Sequence, residues 1–321
     1  MRCRITTLIL ILTIACCSCK KDLLHWQSVQ KLESGTTHRL CNMLFVNDTL
    51  GFVIGGERFF DADILTTSDG GKTFRYRTFP EAGKTLFGIT KAPNGTLYVI
   101  GFDGKLMVSK DNGNTWVYHQ VDYCPYKSVA VDKEGHLLIV GGISFDQGYI
   151  FRAYEDGGRI TWDTTYYELN KVVLLPDGTG FMCGYGIVLH TTDDGKTWQI
   201  QSPENDNFSS MDVRSRNEVW MCGYNGSIYH TRNAGRDWDK KRNGNDFTKP
   251  RYHLRDILFT DDMNGYAVGE DGAVIYTDDG GDHWMEFDRF TAQHLNKITL
   301  CPDGSLLVCG DGGALYRVIK K

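Results

Sequence analysis

The chain has 321 residues, 41% of them hydrophobic, with 36 glycines and only 7 prolines. That composition excludes a disordered protein and suits a turn-rich, all-β globular one. A formal net charge of −5 argues against a nucleic-acid binder, and the densest positive run, Lys240-Lys241-Arg242, reads as a solvated loop.

The first elements are a leader and a tether. Arg2 and Arg4 make a basic start, Ile5 to Ile14 form a short apolar run, and Cys16, Cys17, Ser18 and Cys19 close it. Such a run is too short to span a bilayer and has the layout of a signal peptide. The closing cysteines resemble the lipobox of bacterial lipoproteins, which implies cleavage after residue 18 and a lipid on Cys19. Ser18 suits the position before the cut, and Lys20-Lys21-Asp22 suits a tether over 19–24. The family prefers Leu three residues before the lipidated cysteine, where Cys16 stands, so Cys17 with Ile14 is a competing site. A soluble secreted protein is the plainer alternative. Loss of Arg2 and Arg4 leaves 33 basic against 40 acidic residues.

Residues 25–321 carry one repeating unit. Phe52-Val53-Ile54, Tyr98-Val99-Ile100, Leu138-Ile139-Val140, Phe181-Met182-Cys183, Trp220-Met221-Cys222, Tyr266-Ala267-Val268 and Leu307-Val308-Cys309 are each followed by glycine. Those glycines are separated by 46, 40, 43, 39, 46 and 41 residues. A strand-bearing period near 40 predicts a β-propeller, all-β and seven-bladed. Blade six shows the plan: strands over 254–259, 266–268, 273–276 and 284–287, making four per blade. Six cysteines follow Cys19; Cys183, Cys222 and Cys309 fill core positions of the repeat, while Cys41, Cys124 and Cys301 cannot be paired from sequence.

Five turns share one pattern, at residues 67–74, 109–116, 191–198, 231–238 and 277–284, with Asp69, Asp111, Asp193, Asn233 and Asp279 in the same place. Tyr154 to Trp162 is a degenerate copy. These resemble Asp-boxes, the Ser/Thr-x-Asp-x-Gly-x-Thr-Trp hairpins of the BNR repeat family. Their carboxylates are expected to cap backbone N–H groups of their own turn, a structural role and not a catalytic or metal-binding one. No cofactor or metal is expected: the nine histidines show no close pair at ligand spacing.

Blade seven lacks a fourth strand at the C-terminus, and His25 to Val29 resembles the fourth strand that follows Thr197-Trp198. The N-terminal segment is therefore expected to complete blade seven and close the ring. A lipid on Cys19 would then hold the Asp-box side to a membrane, leaving the opposite loops facing outward. On that outward face the segments from Gly55 to Asp63 and Gly141 to Gly148 are the long second-to-third-strand loops, and Asp239 to His253 is the longest link between blades. Candidate partner-binding residues there are Arg58, Phe59, Phe60, Phe102, Phe145, Tyr185, Tyr224, Arg251 and Tyr252.

The repeat as a whole, GYAVGEDGAVIYTDDGGDHW at 265–284, resembles the photosystem II stability/assembly-factor-like propellers and their bacterial relatives. The resemblance implies a non-enzymatic interaction scaffold. The leader and tether add the expectation of a monomeric ring at the bacterial envelope, at the outer membrane sooner than the inner, with an envelope protein or glycan as partner. Photosynthetic members use an arginine-lined face for a client membrane protein; no arginine stripe recurs in register here. The alternative is a sialidase-like glycosidase, since sialidases are Asp-box propellers too. Its Phe/Tyr-Arg-Ile-Pro sequence is absent, and Phe151-Arg152-Ala153 is only an echo within a third strand. The nearest carboxylate pair for such chemistry is Glu270 and Asp311.

Overall fold

The computed structural model describes residues 23–203, 206–248 and 250–321. The chain folds into seven antiparallel four-stranded sheets, the blades of a propeller. Blade one comprises Arg39–Phe45, Gly51–Gly56, Asp63–Thr67 and Arg75–Thr78, and the next five repeat that order. Their innermost strands are Leu86–Lys91, Tyr126–Val131, Leu169–Leu174, Phe208–Val213 and Leu254–Phe259. In blade seven Leu295–Leu300, Leu306–Gly310 and Leu315–Lys320 are joined by Trp26–Lys31, which lies antiparallel on the third strand with Trp26 opposite Lys320. The ring is closed by its N-terminal strand, as expected.

The second strands are buried throughout, as in Gly51–Gly56 and Val219–Gly223, except for Ile143 at the end of Leu137–Ile143, because the neighbouring blades cover both of their faces. Consecutive apolar residues, not alternating ones, are what such a position selects. The repeat glycine has a steric cause. A side chain at Gly55, Gly141 or Gly310 would collide with the carbonyl of Arg39, Pro125 or His294, which precedes the first strand's leading core residue. The core is thus a set of apolar layers between successive blades. The layer between blades seven and one, with Met43, Val53, Cys301, Leu307 and Cys309, seals the ring. Among the described residues the six cysteines are free, and Cys183, Cys222 and Cys309 are buried side chains of these layers.

Several expectations need correction. Asp239–Arg242 is the fourth strand of blade five, so the link that follows begins at 243 and Lys240-Lys241-Arg242 is not a loop. Arg242 is buried, donating to the carbonyls of Gly226 and Pro250. Gly141 to Gly148 is not an open loop either: Leu137–Ile143 and Gln147–Ala153 pair out to Ile143 opposite Gln147, leaving a three-residue tip. The degenerate copy at Tyr154 is a plain hairpin into Arg159–Thr165, with Trp162 paired opposite Phe151.

Candidate functional site

One side of the ring is taken up by its own turns. The Asp193 Oδ1 accepts the N–H of Thr197 at 2.9 Å and the hydroxyl of Thr191 at 2.7 Å, while Oδ2 accepts the Thr197 hydroxyl at 2.6 Å. Asp69 and Asp111 make the same bonds with Thr73 and Thr115. Asp279 replaces the threonine partner with His283, 2.6 Å away. Asn233 keeps the geometry by accepting from the Asp237 N–H and donating to the Asp237 carboxylate. The Thr197 hydroxyl and N–H hold the Asp193 carboxyl down to about 2, and those of Thr115 lower Asp111 likewise. Each indole of Trp116, Trp198 and Trp284 donates to the carbonyl of the turn glycine, Gly113, Gly195 or Gly281. These bonds tie each carboxylate to its own turn.

The opposite side gathers most of the predicted aromatics in two clusters. In the first, Phe59 meets Phe102 edge to face at 6.2 Å, and the exposed Arg58 places its guanidinium 5.2 and 5.1 Å from these two rings. Phe60 beside them is 73% exposed. Arg58 and Phe102 border a cavity of about 530 Å³ that reaches Phe87, Lys127 and Ile143. In the second, Phe145 and Tyr185 lie 4.9 Å apart, and Tyr224 stacks on His253 at 4.1 Å. Phe145, Tyr185 and Tyr224 border a cavity of about 860 Å³ floored by Asn207, Arg255 and Glu270. Tyr252 belongs to neither. It is buried in the layer between blades five and six, with Arg242 5.3 Å from its ring. Arg251 lies exposed one residue before it.

Phe145 is the residue with the clearest local signature. It and Ser144 both adopt positive φ, 68° and 61°, a region unfavourable to a bulky side chain. Glu168 holds it there from both sides: its carboxylate accepts the Phe145 N–H at 2.8 Å, and its own N–H donates to the Phe145 carbonyl at 2.9 Å. The Glu168 carboxylate is in turn paired with Lys127.

Between the clusters, a cavity of about 420 Å³ is bordered by the first strands of all seven blades. Its charged groups were not among the residues singled out from sequence. Arg39 pairs with Asp311 at 3.2 Å, Arg255 with Glu270 at 2.8 Å, and Lys297 with Asp256 at 2.9 Å. A readable signal existed: the two residues after the leading core residue of each first strand face the axis. Those positions hold Cys41, Lys127, Asn170, Lys171, Arg255, Asp256, Asn296 and Lys297, among others.

Glu270 and Asp311 do not make an acid–base pair. Arg255 lies 2.8 Å from the first and 3.6 Å from the second, and Asp311 also accepts from Asn296. Burial opposes ionisation of Glu270, but Arg255 outweighs it and lowers its pKa. A glycosidase acid requires the opposite shift. Cys19, the expected lipid site, lies outside the described residues.

A closed ring with Asp-box turns on one side and charged, aromatic loops on the other defines a seven-bladed Asp-box propeller. The family model described as photosynthesis system II assembly factor YCF48 matches residues 200–277. The photosystem II stability/assembly factor HCF136 of Arabidopsis thaliana is 30% identical over 322 aligned residues, covering 74% of this chain and 75% of that protein. The photosystem II assembly lipoprotein Ycf48 of Synechococcus sp. (strain CC9902) is 25% identical, over 85% and 83% of the two chains. Two solved structures share the fold with TM-scores of 0.69: YCF48 bound to D1 peptide, 18% identical over 94% and 96%, and YCF48 from Cyanidioschyzon merolae, 17% identical over 91% and 98%. The chain belongs to the photosystem II stability/assembly factor family. These relatives are assembly factors by name, and the sialidase-like alternative finds no support among them.

Proposed function

We propose that the protein is a lipid-anchored, non-enzymatic assembly scaffold of the bacterial envelope whose loop face captures a segment of a client protein. The observation that carries this reading is Phe145. An exposed apolar ring at the tip of a hairpin, held at positive φ by Glu168, is a conformation that folding alone does not favour and that binding can use. The aromatic cavities beside it suit an extended polypeptide, and the D1 peptide in the solved structure of a relative favours a protein client over a glycan. The lipoprotein name of the Synechococcus relative supports a lipid anchor, which this reading places on Cys19, with 1–18 as signal peptide and 19–24 as tether. With Trp26 opposite Lys320, such a lipid would keep the Asp-box side towards a membrane, the outer one in this reading.

The test is a photo-crosslinking residue placed at Tyr185 or Phe59, and in parallel at Thr192 on the Asp-box side, in cells that express the protein. Discrete protein adducts from the loop face alone are expected. Equal labelling from Thr192, or adducts sensitive only to glycosidase treatment, would overturn the reading.

A further inference from the structure

Among the described residues, the cavity shared by all seven blades contains one ammonium without a partner. Four of its five cations are committed: Arg39 to Asp311, Lys127 to Glu168, Arg255 to Glu270 and Lys297 to Asp256. Lys171, on the first strand of blade four, has no hydrogen bond or ion pair among the described residues. The axial carboxylate that could serve it is full. Asp256 accepts from Lys297 at 3.0 and 2.9 Å, from the Ser210 hydroxyl at 2.7 Å and from the Ile298 N–H at 3.1 Å. Asp212, in the first strand of blade five, is turned to the Phe259 N–H at 2.7 Å.

Lys171 also borders a second cavity, of about 490 Å³, towards the Asp-box side, so it stands where the two cavities meet. Burial, and then the neighbouring Lys297, pull its pKa down to about 8, with Asp256, Cys183 and Asp212 acting the other way. It remains mostly charged at neutral pH. A half-buried charge without a counter-ion is costly, and an apolar side chain of similar length would remove that cost. An anion that is not part of the fold would offset that cost.

We propose that Lys171 anchors a small oxyanion, a carboxylate or phosphate, in the central cavity. The cavity of about 420 Å³ is roomy enough for either group with its remaining water shell. The inference goes beyond client capture on the loop face, because the site is on the ring axis and is open to a free anion. The same chemistry could be supplied by an acidic side chain of a bound polypeptide.

The full mature protein is heated in acetate, in inorganic phosphate, in an acetylated and amidated tri-glutamate peptide, and in chloride at matched ionic strength. The native protein should melt about 2 °C higher in at least one probe at tenfold its Kd. Lys171→Met should lose that shift and Lys171→Arg should keep it. A response to acetate or phosphate identifies a free anion; a response to the peptide alone identifies a presented carboxylate. Because removing an unpartnered charge is not expected to unfold the ring, the Lys171→Met baseline serves as its own control. As a second readout, the carbon-13 methyl resonance of dimethylated Lys171, assigned by its absence in Lys171→Met, should move on addition of the active probe. Equal shifts in native and Lys171→Met proteins, or no response to any probe, would overturn the proposal.

Discussion

Trp26 lies flat on Phe287, with ring centroids 3.8 Å apart and planes 15° apart. The strand that closes blade seven is therefore fastened to blade six as well. Leu24 extends the link by donating to the Glu286 carbonyl and accepting from the Asp288 N–H, both at 2.9 Å. His25 adds a contact to Asp288 at 3.1 Å. Closure is thus a two-blade event, achieved by a segment far away in sequence.

Trp26→Ala should lower stability by about 2 kcal/mol, from lost stacking and lost apolar burial. Deleting residues 23–30 should cost much more, because the ladder with Leu315–Lys320 is lost too. Thermal melting of the three proteins checks this order. A deletion variant melting with the native protein would show that the ring does not depend on its closing strand.

The parts of this architecture legible in sequence were those set by local or repeated sterics. Gly55 and its counterparts recur because a backbone carbonyl, or at Gly223 the Asp206 carboxylate, occupies the place of a side chain, and the Asp-box recurs because Asp193 bonds within four residues of itself. Ring closure was legible because Trp26-Gln27 repeats the Trp198-Gln199 that leads into another fourth strand. What escaped depends on partners distant in sequence. Arg242 is buried because the carbonyls of Gly226 and Pro250 receive it, and its guanidinium in turn covers Tyr252. Nothing adjacent to Lys240-Lys241-Arg242 announces this. The axial charges differ from blade to blade, so a search for a recurring arginine passes over Arg39, Lys127 and Arg255 although they border one cavity.

The Asp-boxes predict an acid-sensitive stability. Asp193 has its pKa lowered from 3.8 to about 2 by Thr197. A carboxylate depressed in the folded state contributes stability that is complete above its unfolded pKa and is lost as pH falls through the folded one. The contribution of Asp193 should therefore fade between about pH 4 and pH 2. At neutral pH Asp193→Ala should cost about 1 kcal/mol, by analogy with loss of a capping side chain. Melting curves across that pH range should show the native and Asp193→Ala proteins converging. A constant gap would mean that the carboxylate charge is irrelevant to the turn.

Lipid attachment is tested at the two cysteines that compete for it. Cys19→Ala should stall processing or release the protein from membranes, whereas Cys17→Ala should leave both intact. Metabolic labelling with an alkyne fatty acid and mass spectrometry of the mature N-terminus would distinguish them. Lipid retained in Cys19→Ala and lost in Cys17→Ala would move the cleavage site back by two residues.

Exposure divides the aromatics into those buried in the ring and those open to solvent. Tyr252 is 6% exposed and sits between blades, while Phe145 and Tyr185 are 54% and 46% exposed and touch chiefly each other. Tyr252→Ser should therefore destabilise the protein by about 3 kcal/mol, as truncation of a buried aromatic does. Phe145→Ser and Tyr185→Ser should leave the melting temperature nearly unchanged and weaken client binding by about 30-fold together, the scale of an interface hot spot near 2 kcal/mol. Gly at position 145 makes the most informative variant. It removes the ring but relieves the positive φ of 68°, so it should raise stability slightly while abolishing the same binding. Binding is measured against the client segment recovered by crosslinking, at matched folded concentration. If Phe145→Gly lowers the melting temperature, the hairpin tip is a packing element, and the strain at Phe145 has no part in capture.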